Sequence, residues 1–206
     1  MNDVSKFRLL NVGDTCSLWN LLASPLLYVT ARAAGLRVCC TNFVIYECLH
    51  KKSRHWPERL ELQKRLRIKL ADSTITAHPI ELEDLQQVEV LRNRKKLSIG
   101  ELSVMVFAGK TQQAMLTDDK GAQKLALTHL AANAIQSTPH LVAWLYFGSL
   151  LADADVTQIK AELTALARNL DPHFDKFYVE AQQCRAVAAQ GTRLQASRDV
   201  RNGAKG

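Results

Sequence analysis

The 206-residue chain lacks most of the short signatures that announce a chemistry. It has no Walker-type phosphate loop, no GxGxxG and no GxSxG, so nucleotide hydrolysis, dinucleotide binding and serine hydrolysis are without support. Its five cysteines (Cys16, Cys39, Cys40, Cys48 and Cys184) are odd in number and show no CxxC spacing. We read all five as reduced packing residues, with metal or redox use as the alternative. Cys16 is near enough to Asp14 to line a site, but no histidine is placed to activate it as a nucleophile. The six histidines (His50, His55, His78, His129, His140 and His173) form no HxxxH or HxH pair with a suitable third ligand, so none is assigned to zinc. No apolar run reaches the roughly 18 residues of a membrane span. Met1 to Lys6 is polar and does not read as a secretory signal, and Asp14 and Asn20 interrupt the apolar stretches that follow. The sequence therefore predicts a soluble cytoplasmic protein with no membrane partner. No internal repeat is evident.

What is present is a sizeable core and a positive charge. Hydrophobic residues make up 47% of the chain, and its net charge is +7. Basic balance alone is a weak sign of a polyanionic partner. The informative feature is four short acid-bearing segments, each where an apolar run passes into a helical pattern. They are Val12-Gly13-Asp14-Thr15, Val44-Ile45-Tyr46-Glu47, Gly100-Glu101-Leu102-Ser103 and Leu116-Thr117-Asp118-Asp119. A carboxylate beside an apolar run is costly to bury unless something positive compensates it.

Along the chain, Phe7 to Val12 reads as a first strand, and Thr15 to Leu27 alternates at helical spacing, interrupted by Pro25. Leu26 to Ala34 is predicted helical with Gly35 as its stop, Leu36 to Thr41 a buried strand, and Phe43 to Lys52 a helix capped by Thr41 or Asn42. A charged helix spans Trp56 to Ala71, a strand Ser73 to His78, and a helix Ile80 to Asn93. Ser98 and Glu101 have capping-box spacing at the start of a helix that runs through Phe107 to Gly109. Gln113 to Thr117 and Ala134 to Gln136 read as short strands, and Asp119 to Thr128 as a helix. Thr138-Pro139 opens the helix that carries Trp144, Tyr146 and Phe147, which we read as core. Asp155 to Leu170 and Pro172 to Val187 are two more helices. Alternation of this kind predicts an α/β fold, a three-layer α/β/α sandwich with a central parallel sheet and extra C-terminal helices. We expect one domain over 1–188 and a disordered basic tail over 189–206.

In an open parallel sheet, function collects at the carboxyl ends of the strands. Asp14 and Asp119 each follow a predicted strand, and Glu47 and Glu101 lie early enough in their helices to reach the same edge. Four carboxylates in one pocket would repel without a counterion, and hard oxygen donors select Mg²⁺ or Mn²⁺ over zinc. Each acid also has a plainer reading. Asp14, Asp118 or Asp119 would suit a helix N-cap, Glu101 the partner of Ser98, and Glu47 an ordinary salt bridge.

These four segments carry a resemblance. Asp14-Thr15-Cys16-Ser17 after an apolar strand resembles the opening motif of the PIN-domain nucleases, and Val44-Ile45-Tyr46-Glu47 is similar to their second motif. Gly100-Glu101-Leu102-Ser103 resembles the third, in the subgroup with Gly-Glu. Leu116-Thr117-Asp118-Asp119-Lys120, followed by Ala122 and Leu125-Ala126, resembles the fourth. Order and rough spacing agree over residues 5 to 150. The departures are Asn11-Val12-Gly13 at the end of the first strand, the long charged stretch from His50 to Arg94, and the two C-terminal helices. The resemblance implies a Mg²⁺- or Mn²⁺-dependent nuclease site in which Asp14, Glu101 and Asp119 ligate metal. Glu47 would ligate or orient water, and Asp118 would help or cap. One or two ions held by these acids would bind the scissile phosphate and activate water for in-line attack on phosphorus.

Thr15, Ser17, Thr117 and Ser103 are hydroxyls near the acids, suited to phosphate or water and equally to helix caps. Two basic segments are candidates for phosphate contact: Lys51, Lys52, Arg54, Arg59, Lys64, Arg65, Arg67 and Lys69, and then Arg92, Arg94, Lys95 and Lys96. The second abuts the proposed pocket; the plain reading of both is a solvated face. The tail arginines Arg193, Arg198 and Arg201 would add nonspecific attraction or meet an antitoxin-like partner. The leading expectation is an endoribonuclease, the toxin of a toxin–antitoxin pair or an RNA-processing or defence enzyme, with RNA favoured over DNA by the resemblance alone. A homodimer is compatible with it. The alternatives are a noncatalytic PIN-like module that binds RNA or protein, and a response-regulator-like domain, which Asn11 and Asp14 fit poorly.

Overall fold

The computed structural model describes residues 3–51, 57–92, 97–168 and 174–187. Its elements run β1 (Leu10–Gly13), α1 (Thr15–Ala23), α2 (Pro25–Ala33), β2 (Arg37–Thr41), α3 (Asn42–Leu49), α4 (Pro57–Ala71), β3 (Ile75–His78) and α5 (Leu82–Arg92). They continue with α6 (Ile99–Thr111), β4 (Ala114–Leu116), α7 (Lys120–Ala126), β5 (Ile135–Gln136), α8 (Thr138–Phe147) and α9 (Asp153–Ala165). A 3-10 turn over Ala132–Ala134 precedes β5, and residues 174–187 are helical.

The five strands form one all-parallel sheet in the order β3-β2-β1-β4-β5. Helices cover both faces, giving the expected α/β/α sandwich. α6 lies against β1, β2 and β4 with α3 and α5 beside it, while α1 and α2 pack with α8 and α9. The strands are apolar because they are buried on both faces: Val12, Cys40, Ala114, Met115 and Leu116 have no exposure. The Thr76–Ala77 stretch of the edge strand β3 is exposed, as an edge permits.

β1 stands at the centre of the sheet. Its immediate successor β2 pairs on one side and β4 on the other, so the strand order reverses between β1 and β4. At such a switch point the connections diverge and open a crevice beyond the carboxyl ends of the two strands. Asp14 follows β1 there directly, and Thr117, Asp118 and Asp119 follow β4.

Helix starts are set by short polar side chains that satisfy the otherwise unpaired first N–H groups. Asp14 accepts from Ser17 N, Ser24 from Leu27 N ahead of Pro25, Thr41 from Val44 N, Ser98 from Glu101 N, Asp119 from Ala122 N and Ser137 from His140 N. The predicted capping box of Ser98 and Glu101 is present in both directions. Ser24 divides what the sequence suggested as one helical stretch to Leu27 into α1 and α2. Strand bounds are shorter than predicted at several ends, notably β1, which begins at Leu10 rather than Phe7. Phe7 instead stacks on Trp144, with ring centroids 5.4 Å apart. Tyr146 is buried and Trp144 and Phe147 pack against the core, as read.

Among the described residues no helix is long and apolar enough to cross a membrane. All five cysteines are free, and Cys39, Cys40 and Cys48 are buried. Cys184 is exposed, so it is not a packing residue; it lies on the solvent side of a helix whose inner positions, Phe174 and Ala181, are buried. The basic tail lies outside the described residues.

Candidate functional site

Beyond the carboxyl ends of β1 and β4 the chain is tied together by a hydroxyl. Asp14 has no exposure. Its Oδ1 accepts from Ser17 N at 2.7 Å, and its Oδ2 accepts from Thr117 Oγ1 at 2.5 Å. The same Thr117 hydroxyl accepts from Asp119 N at 3.2 Å, so one side chain ties the first acid segment to the fourth. Ser17 Oγ donates to Leu116 O at 2.7 Å and adds a second tie between α1 and β4. Ser17 and Thr117 are both fully buried. Their hydroxyls are therefore committed inside the protein, positioning Asp14 and Asp119 rather than facing a ligand.

The second and third segments meet across the α3–α6 contact. Glu47 Oε2 accepts from Thr15 Oγ1 at 2.9 Å and from Ser98 Oγ at 3.4 Å, and Oε1 accepts from Gly100 N at 3.3 Å. Gly100 is required for this approach: a β-carbon there would lie 2.7 Å from the Glu47 carboxyl carbon. The glycine of the Gly-Glu pair is thus explained by the acid of another segment. Glu101 Oε2 accepts from Ser98 N at 2.7 Å in the capping box. Ser103 Oγ donates to Gly100 O at 2.7 Å and meets Thr41 Oγ1 at 2.6 Å, both inside the protein.

The electrostatics record how close the acids stand. Burial raises the Asp14 carboxyl to about 7, opposed by its Thr117 and Ser17 hydrogen bonds and reinforced by the Asp118 charge. Burial likewise raises Glu101, and the charges of Asp119 and Glu47 push it in the same direction. Glu101 thus lies within reach of the Asp119 and Glu47 charges, and Asp14 is joined to Asp119 through Thr117. Among the described residues, however, no three His, Cys, Asp or Glu side chains stand close enough together to hold an ion as they are placed.

Asp118 faces the other way. Its carboxylate accepts from Asn20 Nδ2 at 2.7 Å, Thr138 N at 2.8 Å and Thr138 Oγ1 at 2.6 Å. It anchors the start of α8 and, through Asn20, meets Arg168, whose Nε donates to Asn20 Oδ1 at 2.6 Å. Ala167, at φ 53°, turns the chain after α9 so that Arg168 reaches back; that backbone region costs a non-glycine residue about 1 kcal/mol. The Arg168 charge opposes the upward pull of burial on Asp118 and on the Cys16 thiol, which burial raises to about 11. Asn20, Thr138 and Arg168 were not readable as site residues, because their partners lie 20 to 148 positions away.

Of the basic candidates, Arg59 donates to Glu47 O, Cys48 O and Lys51 O, closing the end of α3. Arg65 donates to Leu22 O and Ala23 O, closing the end of α1. These two are architectural rather than a solvated or phosphate-facing surface. Lys69 pairs with Asp72 and sits over the Tyr28 ring. Arg92 is paired with Glu89 on an exposed face. Arg94, Lys95 and Lys96, with Lys52 and Arg54, lie outside the described residues.

No family model matches the chain, and no curated protein matches it in sequence.

Proposed function

We propose that the protein is a cytoplasmic, Mg²⁺- or Mn²⁺-dependent endonuclease that hydrolyses phosphodiesters, with RNA as its substrate. What supports the reading is the surroundings of Glu101 and Asp14, in which acids of separate segments stand near one another without forming a ready-made ion site among the described residues. There Glu101 is raised in part by Asp119 and Glu47, and Asp14 is hydrogen-bonded to the hydroxyl that positions Asp119. An arrangement of mutually repelling acids is costly unless a cation offsets it.

In this reading Glu101 and Asp119, each half-buried and each fixed by a capping bond, are the outer ligands, with Glu47 beside them. A divalent cation supplies charge neutralisation at the phosphate and a more acidic water. The chain's own contribution is orientation. Thr15 and Gly100 N hold the Glu47 carboxylate, Ser98 holds Glu101, and Thr117 fixes Asp14 against the Asp119 backbone. Asp14, wholly buried, holds the start of α1 through Ser17 N and the fourth segment through Thr117.

The test is incubation of labelled single-stranded RNA and DNA with purified protein in Mn²⁺ or EDTA, beside Glu101→Gln. The reading expects Mn²⁺-dependent cleavage that EDTA and the substitution both abolish. Equal cleavage by the variant refutes it. A second reading, a noncatalytic binding module, is favoured by the spacing of the acids, no three of which share an ion site as placed among the described residues. The absence of Mn²⁺ binding would select it.

A further inference from the structure

Beside Glu47 a groove of about 540 Å³ opens, lined by Asn42, Phe43, Tyr46, Glu47, Lys51 and Ile99. Its size falls in the range of about 300–1,000 Å³ typical of small-ligand sites. Tyr46 is 56% exposed, although its neighbours on α3, Val44 and Cys48, are fully buried. Its ring is not loose: it stacks on His50 one turn on, with centroids 6.2 Å apart and planes 27° apart. Phe43 and Ile99 are half-buried and complete an apolar lining. Among the described residues only two charged groups line the groove. Glu47 belongs to the acid cluster, and Lys51 is held 3.7 Å from it with its own side chain 57% exposed.

We propose that this groove seats one unpaired nucleobase of a single-stranded polynucleotide on the Tyr46 ring, with the adjoining phosphate at Lys51. The occupant follows from the charge arrangement. An apolar lining containing a carboxylate rejects a phosphate but accepts a flat base, whose amino edge can donate to Glu47. Among the described residues that line the groove, Lys51 is the cation, and although it pairs with Glu47 its side chain is exposed enough to meet the backbone outside. Base stacking on an exposed aromatic is tolerant of sequence, and the phosphate contact makes binding salt-dependent. Base pairs in a duplex keep their faces stacked on one another and cannot enter. Because the groove shares Glu47 with the acid cluster, a base seated there draws its strand across that cluster. The proposal rests on the nuclease reading to this extent, and it narrows the substrate to single strands.

The experiment uses an eight-nucleotide single-stranded RNA with one central 2-aminopurine, titrated with the full chain in EDTA so that binding is separated from cleavage. Wild type is expected to quench the 2-aminopurine and to bind the single strand at least tenfold more tightly than the duplex of the same sequence. Tyr46→Ala should weaken binding by about tenfold, Tyr46→Phe should retain it, and Lys51→Gln should reduce the slope of log affinity against log salt by about one. Unchanged binding by Tyr46→Ala, or equal binding of duplex, overturns the proposal. So does sedimentation showing a wild-type dimer that Tyr46→Ala dissociates, which would give the groove to a second copy. Binding as described without any Mn²⁺-dependent cleavage keeps the subsite and removes the nuclease reading. Cleavage by Tyr46→Ala with unchanged KM does the reverse.

Discussion

Replacing Asp14 with asparagine should make the protein more stable at alkaline pH, and the gain should depend on pH in a defined way. The Asp14 carboxyl has an ordinary value of 3.8 and is raised to about 7 by burial in the folded state. The folded form therefore holds its proton over a range in which the unfolded chain has lost it. Stability from this group is fully present below about pH 4, falls as pH rises between about 4 and 7, and is lost above that. At about 1.4 kcal/mol per unit, the total is about 4 kcal/mol. The asparagine side chain of the variant stays neutral throughout, remains a good N-cap for α1, and can still bond the Thr117 hydroxyl. Urea unfolding at pH 4, 6 and 8 should show near-equal stabilities at pH 4 and a gap of several kcal/mol in favour of Asp14→Asn at pH 8. Adding Mn²⁺ at pH 8 should stabilise the wild type more than the variant, because the ion offsets the buried charge only where there is one. A variant less stable than wild type at pH 8, or a gap that does not move with pH, would refute the reasoning.

Three further outcomes follow from the same geometry. Gly100→Ala should lower stability by about 1–3 kcal/mol, because the bonds of Glu47 to Thr15, Ser98 and Gly100 N are lost, which outweighs the helix preference of alanine. Its β-carbon would displace the Glu47 carboxylate, whose carbon is now 2.7 Å from that position, and cleavage per folded molecule should fall at least tenfold. Arg65→Met should cost about 1–3 kcal/mol in denaturant unfolding, because a charged donor to Leu22 O and Ala23 O is lost, while cleavage per folded molecule is unchanged. Iodoacetamide at pH 8 should modify Cys184 and spare the rest, read by peptide mass. Cys184 is exposed, whereas burial raises the thiols of Cys16 and Cys39 to about 11, Cys40 to about 12 and Cys48 higher still.

Much of the fold was legible because its signals are local. Gly13-Asp14, Thr41-Asn42, Ser98 with Glu101, and Ser137-Thr138-Pro139 mark helix entries through bonds that span three residues. Asp14 and Asp119 could be placed beyond strand ends because each follows an apolar strand closely, and Glu47 because it lies in the helix after β2, whereas Glu101 lies in α6, which follows no strand directly. Their individual duties were not legible, because those are set by distant partners. Asp118 and Asp119 are neighbours in sequence, yet one answers to Thr138 and Asn20 and the other to Ala122 and Thr117. Arg59 and Arg65 looked like a basic face because nothing local shows that their targets are helix-end carbonyls, up to 43 residues away. Gly100 reads as a family feature in sequence and as room for Glu47 in the structure. Tyr46 passed as part of an apolar helix start, although α3 turns it outward into the groove.

The central claim is that Asp14, Glu47, Glu101 and Asp119 act together on one or two divalent cations. Calorimetric titration of Mn²⁺ into the wild-type protein at pH 8, beside Glu101→Gln and Asp119→Asn, tests it most directly. Saturable binding of one or two ions, weakened at least tenfold by either substitution, is the predicted result. Wild-type protein that takes up no Mn²⁺, or both variants binding it as wild type does, would contradict the account.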